Sequence, residues 1–170
     1  MLRKIVFIIL AAALGLVSFS GCRASDPLSF ITMRRTDDTS KVLRLGMNGN
    51  DVSLCLGGGY TSQADSGLHL SYADNTMQNL VNIESLGGIY VPDSGVTNKS
   101  TVSDILAAYQ KDPDVKVLQN DAQKLILGKQ IDGVNYTLTF RFYASDGSIK
   151  AITATNTDLH EDVDSDYPSN

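Results

Sequence analysis

The chain has no tryptophan, two cysteines, two histidines and, beside 17 aspartates, only two glutamates. Without tryptophan, aromatic burial must come from seven tyrosines and five phenylalanines. Cys22 and Cys55 are too few for a disulfide framework. His69 and His160 are the only imidazoles, so a Ser-His-Asp arrangement would need one of them, and no G-x-S-x-G accompanies either. No run of Lys and Arg follows the opening residues, which leaves no footprint for a phosphate backbone.

What is present begins with a leader. MLRK carries two positive charges and precedes Ile5 to Val17, an apolar run too short to span a bilayer comfortably. Then comes FSGC, Phe19 to Cys22: an apolar residue, two small residues and a cysteine. This resembles the lipobox of bacterial lipoproteins, with Phe19 in place of the usual Leu. The resemblance implies cleavage after residue 21, lipid attachment at Cys22 and an extracytoplasmic location on a bacterial cell membrane. Arg23, in place of the Asp that signals inner-membrane retention, permits outer-membrane sorting where there is an outer membrane. A plain signal peptide with a chance cysteine is the bland alternative.

Removing residues 1–21 takes away Arg3 and Lys4, leaving 14 − 2 = 12 basic against 19 acidic residues, a net charge of −7. That balance disfavours nucleic acid and anionic lipid surfaces. Membrane attachment would rest on the lipid itself, whose buried methylenes contribute about 0.8 kcal/mol each.

About 150 mature residues suit one domain or two small halves with a common core. Residues 22–41 read as a tether that can dock locally through LSFITM, and 158–170 as an acidic, disordered tail. Between them one pattern occurs twice, in 42–91 and 92–157. Asn48 can cap a short helix with Asp51 three residues on, and Val52, Leu54, Cys55 and Leu56 supply its apolar positions. Ser100 or Thr101 can cap a second, with Val102, Ile105, Leu106 and Tyr109 at helical spacing. After the first, GLHLSYA and LVNI form a hairpin. After the second, VKVLQ and KLILG flank an Asn-Asp turn, and VNYTLTFRFYASDGSIKAITAT folds over Asp146-Gly147. Val134, Tyr136, Leu138, Phe140 and Phe142 alternate, predicting a sheet with one buried and one wet face. The expected fold class is α+β: two helix-then-antiparallel-sheet repeats, each with its own sheet or both in one, behind a cleaved signal peptide.

LGMNGNDVSLCLGG, GVTNKSTVSDILAAY and FRFYASDGSIKAI together resemble the tandem modules of β-lactamase-inhibitor proteins and small outer-membrane-assembly lipoproteins. The likeness covers about residues 42–156. It implies a helix-packed antiparallel sheet per repeat and a protein-binding role, and no β-lactamase inhibition, since nothing matches the inhibitor's contact loops.

Chemistry is thin. Gly57-Gly58-Gly59 is followed by Tyr60 rather than GK[ST], and it comes after an apolar helix, so it reads as a helix stop, not a phosphate loop. Asp162, Asp164 and Asp166 imitate the start of a calcium loop but lack its Gly and distal Glu. Cys55 reads as a small buried hydrophobe, and the other acids as turn and surface residues. The remaining candidate is the wet sheet face, His69, Ser71, Thr137, Thr139, Arg141 and Tyr143, where Tyr and Arg are favoured interface anchors. The expectation is a lipid-anchored, non-catalytic protein-binding or assembly module with no metal or cofactor and an envelope protein as partner. The alternative is a small envelope hydrolase or ligand-binding lipoprotein with a site between the repeats.

Overall fold

The structure, a computed structural model, describes residues 26–57 and 67–160. The leader, Cys22, Gly58, Gly59, the three aspartates from Asp162 to Asp166 and the rest of the tail beyond 160 lie outside them.

The fold starts at once. The Asp26 carboxylate accepts the Leu28 N–H, and Pro27, which has no N–H to satisfy, opens a 3-10 turn over Pro27–Ile31. The chain then enters β1, Thr32–Arg35. Phe30, Ile31 and Met33 are buried. LSFITM thus docks on the core through these side chains, and Thr32–Arg35 is built into a sheet. β1 is the middle strand of a three-stranded antiparallel sheet, between β2 (Val42–Arg44) and β5 (Tyr90–Pro92).

Helix α1, Gly49–Cys55, is capped by Asn48, whose side-chain oxygen accepts the Asp51 N–H. Gly57, at φ +92°, turns the chain out of it. Only Val52 is buried in α1. Leu54, expected on the apolar side, is 77% exposed, and Cys55 is half-buried against the core rather than enclosed. Seven residues are two turns, enough for one inward position and its flanks. Helix α2, Val102–Tyr109, carries a full capping box between Thr101 and Asp104. It buries Ile105 and Tyr109, and the Tyr109 ring meets Phe30 edge-on at 5.8 Å.

The larger sheet has six antiparallel strands: β3 (Leu68–Tyr72), β4 (Leu80–Leu86), β6 (Lys116–Asn120), β7 (Lys124–Ile131), β8 (Val134–Phe142) and β9 (Ile149–Asn156). Their order is β3-β4-β9-β8-β7-β6. β7 runs beyond Gly128 to Ile131 and returns through Asp132-Gly133, both at positive φ, the two-residue turn that matches strand twist. Leu125, Leu127, Leu138, Phe140, Ile152 and Ile83 line one side of this sheet. They form a single core with Phe30, Met33, Leu43, Val52, Tyr90 and Ile105 from the small sheet, the 3-10 turn and the helices. The fold is therefore α+β, with two helices and two antiparallel sheets among the described residues.

Turn aspartates recur as the sequence reading expects. Asp38, Asp74, Asp121 and Asp146 each accept an N–H two residues ahead. Hydroxyls of Ser40 and Thr76 at the first two, and backbone N–H groups at the last two, hold these carboxyls below the ordinary 3.8. Asp158, expected at the start of a loose tail, instead clamps the β8 entry: its carboxylate accepts both the backbone and the side-chain N–H of Asn135 at 2.9 Å.

Candidate functional site on the polar face of the large sheet

Strand register decides which side chains share a face, because directly opposed residues of an antiparallel pair point the same way. His69 lies opposite Glu84, Glu84 opposite Thr153, and Thr153 opposite Thr139. One step along, Ser71 lies opposite Asn82, Asn82 opposite Thr155, and Thr155 opposite Thr137. Residues chosen on two distant strands thus fall on two transverse rows of one face. Arg141 stands one row beyond Thr139, and Tyr143 follows the end of β8, exposed.

The centre of this face is polar but not wet. Thr139 and Thr155 are 0% exposed, and Thr153 and Glu84 are buried as well. The expectation of a solvated face is corrected here: short threonines of inner strands sit among longer neighbours such as Arg141, Glu84 and Ile126. Solvent reaches His69, Tyr143 and the far edge at β6.

Glu84 organises the centre. Its Oε1 lies 3.5 Å from Arg141 Nη1, and its Oε2 3.6 Å from His69 Nδ1. Arg141 Nη1 also donates to Thr153 Oγ1 at 3.4 Å. In the neighbouring row Thr155 Oγ1 donates to Asn82 Oδ1 at 2.9 Å. A buried carboxylate needs such partners to stay charged. Glu84 lies one residue past the end expected for its strand at Ile83, while Asn82, Thr153 and Thr155 lie in expected strands and show their common face only through register. The available signal was the continued alternation through Asn82 and Glu84, and the rarity of glutamate in this chain.

At the β6 side the same face opens into a groove of about 640 Å³ lined by Lys116, Leu118, Gly128, Asn135, Thr137 and others. A Cβ on Gly128 would come within 2.7 Å of the Leu118 side chain, so the missing side chain gives Leu118 its seat. The Thr137 hydroxyl is buried there without a hydrogen-bond partner. Leu118 remains 58% exposed on an edge strand.

The face can hold a partner by hydrogen bonds and an aromatic anchor. Among the described residues no group of three or more His, Cys, Asp or Glu side chains is placed to hold a metal ion. His69 faces the Glu84 carboxylate and lines neither this groove nor the one described below beside the start of the fold. His160 ends the turn after β9, its N–H bonded to the Asn156 carbonyl.

No family model, curated protein or solved structure matches the chain.

Proposed function

We propose that this protein is a lipid-anchored lipoprotein of the bacterial envelope, held through Cys22, which acts without catalysis by binding another protein on the polar face of its large sheet. The observation that carries this reading is the pair of transverse rows, His69-Glu84-Thr153-Thr139 and Ser71-Asn82-Thr155-Thr137, spanning four strands. The buried centre of these rows holds the face rigid, and the exposed His69 and Tyr143 with the half-buried Ser71, Asn82 and Thr137 provide the contact area without ordering cost. The two-fold repetition of helix followed by antiparallel strands, both sets within one sheet, belongs to the same proposal and agrees with the tandem-module likeness of the sequence.

The test places a photo-crosslinking residue at His69 or Tyr143, and as a control at exposed Asp38, in the acylated protein in its own cells. Adducts with the same protein from the first two positions, absent from Asp38 and lost on Arg141→Glu, are expected. Equal labelling from all three positions, or none, overturns the assignment.

A further inference from the structure

We propose that a groove beside the start of the fold rests on the bilayer and takes a zwitterionic phospholipid headgroup, its phosphate on Arg44. This deepens the reading above and rests on Cys22 being acylated. From Cys22 to Asp26 there are four residue steps, at most about 14 Å of extended chain. The nine residues of β8 span about 30 Å, so the leash is shorter than half the height of the sheet. The end bearing Leu28 is thereby kept at the membrane. The loop between β8 and β9, a strand length away, faces outward.

At the tethered end Leu28, Arg44, Met47, Asp51, Asp132 and Tyr136 line a groove of about 390 Å³. Arg44 is exposed. Its backbone N–H donates to Met47 Sδ and its carbonyl accepts the Met47 N–H, both main-chain groups, which leaves the guanidinium to fork onto a phosphate. Asp51 and Asp132 stand at the same groove and match an ammonium group. One cation with two carboxylates fits a headgroup that bears both signs. A purely anionic headgroup is repelled by those carboxylates and by the −7 net charge of the mature chain.

The test uses the full-length acylated protein carrying Cys55→Ser, with a fluorophore on Asn50→Cys near the groove or on Ser145→Cys at the opposite end. The vesicles contain phosphatidylethanolamine and phosphatidylcholine with a headgroup nitroxide quencher. Quenching several-fold stronger at position 50 than at 145 is expected. Arg44→Glu should weaken quenching at 50 several-fold while flotation with the vesicles and the weak quenching at 145 stay unchanged, and replacing the zwitterionic lipids by phosphatidylglycerol should likewise weaken quenching at 50. Equal quenching at both positions of the unsubstituted groove overturns the orientation. Indifference to Arg44→Glu or to the lipid change overturns the headgroup site. If instead Cys22→Ser floats as well as the parent, the lipid anchor itself fails, a result separate from the others.

Discussion

The two faces of the six-stranded sheet each bury a charge, and they do so in opposite ways. On the apolar face Lys129, in line with Leu125 and Leu127, reaches Asp112 beyond the end of α2 at 2.6 Å, with both side chains nearly closed to solvent. On the polar face Glu84 meets the Arg141 guanidinium at 3.5 Å and the half-exposed His69 imidazole at 3.6 Å. The first pair is a single short contact that ties α2 to the sheet. The second is a looser cluster in a field of hydroxyls. A lone ion among leucines requires one close partner, whereas an ion among threonines can share several longer contacts. The apolar face is accordingly specialised for holding the molecule together, and the polar face keeps adjustable groups at its surface.

The largest expected effect tests the first face. Asp112→Ala leaves the Lys129 ammonium buried without its short partner and should cost about 3–5 kcal/mol in urea unfolding. The double variant Asp112→Leu with Lys129→Met should recover most of that loss; if it does not, the pair contributes more than satisfied burial. Adjacent residues of β8 sharpen the contrast next. Phe140→Ala, which opens a cavity in the core, should cost about 3–5 kcal/mol. Thr139→Ala, equally buried but facing the other way, should cost about 1 kcal/mol. Equal losses would erase the distinction between the faces.

Glu84→Gln keeps the shape and removes the charge, and it should cost about 1–2 kcal/mol, measured by thermal unfolding at neutral pH. The smallest effect at neutral pH is expected of Tyr109→Phe. Burial pushes the Tyr109 phenol well above its ordinary value of 10.0, with the nearby Ser94 hydroxyl opposing the shift. The unfolded chain therefore loses this proton before the folded one does. The associated stability is complete below pH 10 and falls as pH rises above it. Tyr109→Phe should flatten that alkaline decline in denaturant midpoints taken from pH 9 to 11.

Much of the fold was legible because its signals are local. The Asn48 and Thr101 caps, the alternation from Val134 to Phe142 and the turn at Asp146-Gly147 each need only a few neighbouring residues. The three-stranded sheet was not legible, since β1 and β5 are four and three residues long and Met33 finds Pro92 across 59 positions. β7 was cut short at Gly128 because a glycine reads as an ending. Here it is a seat for Leu118, and the Asp132-Gly133 turn was the stronger sign. The site residues were found as a face but misjudged in exposure, because burial of Thr139 depends on what β4 and β9 place beside it. Glu84 shows the same limit: rarity marks it, and only register tells which arginine it meets.

The position of β9 bears on when the fold can close. This strand, residues 149–156, is the last strand among the described residues yet lies third in the sheet, joining β4 on one side to β8 on the other. The β3–β4 hairpin and the β6–β7–β8 meander both precede it in the chain, and neither is joined to the other until β9 is in place. Before then each piece exposes half a core and stays easy to pull straight. The last strand of the described chain is thus the keystone of the sheet.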